Sequence, residues 1–229
     1  MRSVLAFLLI AACSIECARL SAAQCPDNHP AVTVQIHDYA HLKSDSLSKA
    51  EDIVTRTYKR VGVGIEWLGV LQQDGSRAHR GPGGEEARTP IAQLTINILT
   101  PAMAKRGGVA DDVLGFVAVP PEGGMGRIGY VVYERVRDVA SGGPASESDI
   151  LGVVVAHDIG RLILGAGSGT HNGIMNRNWD RRDLEKVDPL TLEFTLPEID
   201  RLRAALEQNS APSFAGATAC ISNGDEAGQ

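Results

Sequence analysis

The sequence is poor in aromatic residues, which make up 4% of its 229 residues, and it has no block of charges of one sign. Its 28 acidic and 22 basic residues are scattered along the chain and give a net charge of -6. Nucleic-acid-binding surfaces are usually basic, so this balance argues against a nucleic-acid partner. No internal repeat is visible either.

The sequence also lacks a hydrophobic run long enough to span a membrane. Its longest apolar stretch, residues 4–15, has 12 residues, whereas a membrane-spanning helix needs roughly 20. Arg2 precedes this stretch and small residues ending at Ala23 follow it, which predicts a secretory signal peptide over residues 1–23. The alternative is a lipoprotein signal, because "IAAC" places Cys13 where a lipid would be attached. Both interpretations put the protein outside the cytoplasm, secreted or periplasmic.

Cysteine is scarce, with four residues in the chain. Cleavage after Ala23 would leave Cys25 and Cys220, an even pair in an oxidising compartment, and so predicts a disulfide between the two chain ends. The alternative is that both remain free thiols. Cleavage before Cys13 would instead leave an odd set beside the lipidated cysteine, which favours the plain secretory signal.

With 43% hydrophobic residues, the chain is long enough for one domain with a proper core. We place that domain at residues 24–210, with a C-terminal tail at 211–229. In its first part, apolar and polar residues alternate from residue 31, which is the pattern of a strand. Apolar residues at helical spacing follow, with Ser44 as the candidate N-cap and Gly62 as the end of the helix. Alternation returns at 63–67. This order predicts a βαβ unit with parallel strands.

Further along, residues 72–92 are rich in Gly, Pro and charge and are predicted to form an exposed loop. Alternation predicts three more strands, at 93–99, 114–119 and 128–134. A helix is predicted at 150–164, preceded by a weak capping box of Ser146 and Asp149, and a closing helix is predicted to begin at Thr195.

The helix at 150–164 is apolar nearly all the way round, which is typical of a buried central helix. Only His157, Asp158 and Arg161 interrupt it. Burying an ionised side chain is costly unless it is paired or bound to a metal. Residues four apart lie on one helix face, and in H-E-x-x-H zinc proteases this spacing lets two histidines hold one Zn²⁺ while the glutamate acts as a base.

The stretch reads H-D-I-G-R, followed by a glycine at 165, "GIM" at 173–175 and Trp179. It resembles the metzincin metallopeptidases, and more closely a group of secreted bacterial metzincin-like proteins with the motif H-E-I-G-H-L-L-L-G-x-x-x-H-x-x-x-G-I-M. The resemblance covers about residues 30–208 and is weak outside the motif. It implies that His157 is the first zinc ligand and Met175 the methionine of the turn beneath the metal.

The other positions depart from that motif. Asp158 replaces the catalytic glutamate, Arg161 the second ligand histidine, and Gly169 the third. Arginine has no lone pair and stays charged, so Arg161 cannot ligate a metal. His171, two residues beyond Gly169, is a candidate replacement ligand. Restoring zinc chemistry would require Arg161→His, Gly169→His and Asp158→Glu together.

Three interpretations of Arg161 remain open. It occupies the vacated metal cavity as a permanent cation paired with Asp158, three residues earlier on the helix. Alternatively, a metal is held in a rearranged site. In the third interpretation, Asp158 and Arg161 form a solvated pair without functional meaning.

The resemblance implies an α/β, metzincin-like fold: a mixed, mostly parallel, five-stranded sheet, a long central helix and a small C-terminal helical part. Residues 114–119 would form the antiparallel edge strand beside the cleft, where an extended peptide can be captured by strand addition. The leading function is a secreted, metzincin-like protein with a degenerate zinc site, inactive as a peptidase and binding a peptide or protein. The alternatives are a zinc metallopeptidase using His157, His171 and Asp158, and a purely structural envelope protein. Zinc is the implied cofactor, bound weakly if at all.

Overall fold

A computed structural model describes residues 30–68, 90–177 and 179–210 of the chain. The predicted signal peptide, Cys13, Cys25, Cys220 and most of the predicted loop at 72–92 lie outside these ranges. No helix within the described ranges is long and apolar enough to cross a membrane. The strands and helices are, in chain order, β1 (Ala31–Asp38), α1 (Ser44–Arg60), β2 (Gly64–Leu68), β3 (Ala92–Leu99), α2 (Pro101–Arg106), β4 (Gly115–Ala118), β5 (Ile128–Val132), α3 (Tyr133–Ala140), α4 (Glu147–Leu164), α5 (Arg181–Glu185) and α6 (Leu196–Ser210).

The five strands form one mixed sheet in the order β2-β1-β3-β5-β4. β1 pairs in parallel with β2 and β3, β3 pairs in parallel with β5, and β4 runs antiparallel to β5. The predicted βαβ unit, the mostly parallel five-stranded sheet and the antiparallel edge strand are therefore confirmed. β4 lies at the edge of the sheet, where it can accept a further strand.

The core lies between the sheet and the helices α1 and α4. Alternate residues of β1 and β3 face it, including Val34 and Ile96, both fully buried. The two helices approach closely at Gly152, where a Cβ atom would lie 2.8 Å from Cβ of Ile53. The Tyr58 hydroxyl of α1 also donates to the Ala156 carbonyl of α4 at 2.8 Å. This packing fixes α4, the helix that carries the candidate site.

The ends of α4 follow the sequence signals. The Ser146 hydroxyl accepts from the Asp149 amide, and the Asp149 carboxylate accepts from the Ser146 amide, so the predicted capping box is confirmed. The helix ends at Gly165, whose φ of 76° favours glycine. At α1 the prediction was wrong in detail, because Lys43 is the N-cap residue and makes no side-chain capping bond.

The strand predicted at 128–134 ends early, at Val132, because Tyr133 begins α3. The Tyr133 hydroxyl donates to the Glu147 carboxylate at 2.6 Å, and Val136 and Val139 are buried on one face of the helix. The bond from Tyr133 to Glu147 at the start of α4 favours the helix over the predicted strand. The short helices α2 and α5 were also not predicted.

Candidate functional site

His157 and Arg161 occupy the same face of α4, four residues apart. His157 is partly buried, and its Nδ1 lies 2.8 Å from the Ile174 carbonyl oxygen. A carbonyl can only accept, so Nδ1 carries the hydrogen and Nε2 carries the lone pair in the neutral ring. Burial has the largest effect on the pKa of His157 and lowers it. The hydrogen bond to Ile174 acts in the opposite direction, and the nearby Arg161 charge lowers the pKa further. The ring lies against Trp179, with centroids 5.6 Å apart.

Met175 lies in the turn that follows and is fully buried against α4. A Cβ atom at Gly160 would lie 2.6 Å from its sulfur and 3.3 Å from the Tyr58 hydroxyl. Glycine at position 160 therefore lets the methionine turn reach the helix. The structure thus brings His157, Gly160 and Met175 together, as the motif predicts.

The Asp158 side chain is buried beneath Gly115 of β4. It is 1% exposed, and its Oδ2 has no hydrogen-bond partner. A Cβ atom at Gly115 of β4 would collide with this oxygen. Burial raises the pKa of Asp158 to about 8, against a lowering by the charge of Arg161. The carboxyl is therefore mainly protonated at neutral pH, which is the wrong state for a general base.

Arg161 is partly exposed and lowers the pKa of both His157 and Asp158 through its charge. Within the described part of the chain, however, its guanidinium forms no ion pair with Asp158, because the carboxyl is turned under β4. The predicted Asp158–Arg161 contact was wrong. Arg161 acts on His157 and Asp158 through its charge and not through direct contact.

The position of the motif's third histidine is filled by another arginine. Arg177 donates from Nε to the Gly169 carbonyl at 3.1 Å and from Nη2 to the carbonyls of Gly169 and Gly167. A Cβ atom at Gly169 would lie 2.9 Å from Cβ of Arg177. Any side chain at position 169 would therefore displace Arg177. Arg177 was not predicted, because no sequence motif identifies a side chain that donates hydrogen bonds to backbone carbonyls of its own loop.

The same loop is tied to α6 by Glu198, which is fully buried. Glu198 accepts from the Thr170 hydroxyl at 2.6 Å and from the Thr195 amide at 2.7 Å. The capping pattern of Thr195 and Glu198 was visible in the sequence, but the bond to Thr170 was not. The loop that carries Gly169 therefore has a fixed shape without a metal.

His171 is exposed and lines a surface cavity of about 470 Å³ together with Trp179 and residues of α5 such as Arg182. His157 does not line this cavity. The described residues contain no group of three or more His, Cys, Asp or Glu side chains that could hold a metal ion. His157, His171 and Asp158 are thus not gathered into one ligand set.

The donor chemistry of the cleft does not fit zinc. Zinc sites need three or four nitrogen, sulfur or oxygen ligands. Of the three positions that the motif supplies, only His157 offers a lone pair, since Arg161 has donors alone and Gly169 has no side chain. A fixed guanidinium near the ion would also oppose its charge.

The outer edge of β4 offers backbone groups for hydrogen bonding. The Val132 amide donates to the Leu114 carbonyl at 2.8 Å, and bonding alternates along an antiparallel pair. Phe116 and Ala118 therefore bond to β5, while the amides and carbonyls of Gly115 and Val117 point outward. Phe116 stacks on Tyr130 of β5, with centroids 4.7 Å apart, and steadies the strand.

We expect Gly115→Ala to destabilise the protein by about 1 to 3 kcal/mol, because the new methyl group would press on the Asp158 carboxyl and lie 3.0 Å from the Val154 side chain. The cost should fall when the same change is made in an Asp158→Ala background. Urea unfolding of the two single variants and the double variant measures this coupling.

Gly107→Ala is the matched control, because a methyl group there meets its neighbours at an ordinary 3.5 Å or more and its φ is -78°. Its cost should not depend on Asp158. Equal costs of Gly115→Ala with and without the Asp158 carboxyl would contradict the contact described above.

No protein-family model and no curated protein matches the chain. Among solved structures, archaemetzincin from Methanopyrus kandleri aligns with 16% sequence identity, covering 80% of this chain and 98% of its own, with a TM-score of 0.45. A match at this level does not identify a function, so the proposal below rests on the residues of this chain.

Proposed function

We propose that the protein is an exported, metzincin-like peptide-binding protein that does not hydrolyse its ligand. The main support is the free edge of β4, which lies beside α4. At the motif's second ligand position α4 has Arg161 in place of a histidine. Export rests on residues 1–23 and stays a prediction, as does the disulfide between Cys25 and Cys220.

Loss of hydrolysis follows from the side chains of α4. A peptidase of this type needs a metal to activate water and a carboxylate to take its proton. His157 stands without the two other ligands of the motif, and Asp158 is buried and turned under β4. Both requirements fail for separate reasons, so a single substitution would not restore activity.

Peptide binding follows from the backbone of β4. Its outward amides and carbonyls at Gly115 and Val117 can pair with one extended segment, as in other cases of strand addition. The strand is short, with four residues, and is held to β5 by its inward bonds. Main-chain pairing of this kind tolerates many side chains, so we expect a broad class of extended peptides as ligands.

Val117→Pro should abolish peptide binding, because it removes one outward N–H without breaking a bond to β5. The measurement is the change in the amide NMR shift of Gly115, which all three proteins retain, when an alternating threonine–valine hexapeptide is added. Val117→Ala is the control, since it shortens the side chain and keeps the amide. We expect wild type and Val117→Ala to bind and Val117→Pro to remain unaffected by the peptide.

Binding that survives in Val117→Pro, or no binding by wild type, would refute strand addition at β4. Mass spectrometry of the recovered hexapeptide tests the second half of the proposal. Intact peptide after prolonged incubation is expected, and cleavage that a chelator stops would refute it.

A zinc peptidase with altered ligands is the second candidate, and one observation favours it. The bond from Nδ1 of His157 to the Ile174 carbonyl presents Nε2 with its lone pair, the arrangement that metal-binding histidines usually adopt. Tightly held zinc in untagged wild-type protein that is lost in His171→Ala would establish this candidate and overturn the first.

A further inference from the structure

Arg161 is the strongest unexplained feature of the cleft. Its guanidinium is partly exposed, and within the described ranges it forms no hydrogen bond and no ion pair. Arg177, in the loop after α4, donates to the carbonyls of Gly167 and Gly169. Arg161, in contrast, keeps a forked set of donors that is free for a ligand.

The position of Arg161 on α4 relates it to the edge of the sheet. Val154 and Asp158 face Gly115 of β4, while Leu162 reaches Gly129 of β5. At 100° per residue, His157 and Arg161 come next around the helix on the side away from β5. A strand added outside β4 would therefore lie over the face that carries His157 and Arg161.

The usual partner of Arg161 within the helix is not in reach. Asp158, three residues earlier, could pair with it on an exposed helix. Its carboxyl is instead 1% exposed and lies under β4, where the absence of a side chain at Gly115 leaves room for it. The carboxyl and the guanidinium are thus three residues apart in sequence but form no ion pair.

We infer that Arg161 binds a carboxylate of the captured peptide, either its C-terminal group or an Asp or Glu side chain. This inference rests on the proposed peptide binding at β4. A guanidinium and a carboxylate match in shape and form paired, charge-assisted hydrogen bonds. The protein would then select acidic or C-terminal segments from the many peptides that main-chain pairing alone accepts.

Three N-acetylated hexapeptides of alternating threonine and valine test this selectivity. The first is amidated and neutral, the second has a free C-terminal carboxylate, and the third is amidated with one central threonine replaced by glutamate. Binding to the full mature protein is measured by the same amide NMR shifts of β4 and by isothermal titration. We expect at least one acidic peptide to bind about tenfold or more tightly than the neutral one, and the preferred peptide identifies the source of the carboxylate.

Arg161→Gln should lower the affinity of the preferred acidic peptide to that of the neutral peptide, while Arg161→Lys should retain only part of the preference, since lysine lacks the fork. Arg201→Gln is the matched control, because Arg201 is an exposed residue of α6 that donates to Pro197 in its own helix. The Arg201→Gln variant should prefer the acidic peptide as strongly as wild type does.

Equal affinity of all three peptides for wild type would overturn the carboxylate site and leave the proposed function standing. A preference that persists in Arg161→Gln would also overturn it. If no peptide binds wild type, the proposed function fails and this inference fails with it.

Discussion

Asp158→Asn should make the protein more stable than wild type above pH 8 and should remove the loss of stability that Asp158 causes between about pH 4 and 8. Burial raises the pKa of Asp158 in the folded protein to about 8, whereas an unfolded aspartate titrates near 4. Between these values the folded state holds a proton that the unfolded state has lost. The free energy of unfolding therefore falls as the pH rises through this window and levels off above it.

The size of this effect is large for a protein of ordinary stability. A pKa difference of about four units corresponds to as much as roughly 5 kcal/mol, against a typical total of about 5 to 15 kcal/mol. Asparagine has the same shape and no titrating group, so it avoids ionisation beneath β4. The two proteins should have similar stability at about pH 4 and should diverge progressively above it.

Urea unfolding at five pH values from 5 to 9 measures the difference. Asp112→Asn is the control, because Asp112 is exposed and the substitution makes the same chemical change. It should follow the wild-type curve. A stability difference between wild type and Asp158→Asn that does not change between pH 5 and 8 would show that the Asp158 carboxyl is not buried as described.

Much of the fold follows from local patterns in the sequence. The alternation in β1 and β2 around the helical stripe of α1 predicts parallel strands, and Ser146 with Asp149 marks the start of α4. α3 was missed because the alternation that predicts β5 continues into its first two residues, Tyr133 and Glu134. Its helical state depends on the contact between Tyr133 and Glu147, which tertiary packing supplies.

In the candidate site, too, local contacts could be predicted from the sequence and long-range contacts could not. The contacts of His157 and Gly160 with the turn at Met175 join α4 to the segment that directly follows it, so the motif indicates that these residues are close. The direction of Asp158 depends on a missing side chain at Gly115, 43 residues earlier in the numbering. The contact between Arg177 and Gly169 likewise depends on how the loop closes. No pattern within one segment records either contact.

Adding two histidines to the cleft should fail to create a zinc site unless Arg177 is also removed. Arg161→His would replace a fixed positive charge with a ligand, and Gly169→His would add the third imidazole of the motif. However, a Cβ atom at position 169 would lie 2.9 Å from Cβ and 3.2 Å from Nε of Arg177. The new histidine would therefore displace the loop or be turned out of the cleft.

We expect the variant with Arg161→His and Gly169→His to hold little zinc, and the variant that adds Arg177→Gly to hold one zinc per chain. Glycine is the suitable replacement, because alanine would keep the Cβ atom that obstructs position 169. Three imidazoles at tetrahedral positions form a competent zinc site, and removing a unit charge about 4 Å from a divalent ion relieves up to roughly 8 kcal/mol at an effective dielectric near 20. The changes should thus increase zinc affinity by several orders of magnitude.

Zinc per chain is measured by mass spectrometry of untagged, dialysed proteins, with circular dichroism to confirm that each variant folds. Adding His157→Ala to the triple variant is the control and should remove the metal. A double variant that holds zinc as tightly as the triple variant would show that Arg177 is no obstacle. A triple variant that folds but holds no zinc would show that α4 and the loop at Gly169 are too far apart to share an ion, so that the cleft differs from a zinc site in its backbone as well as in its side chains.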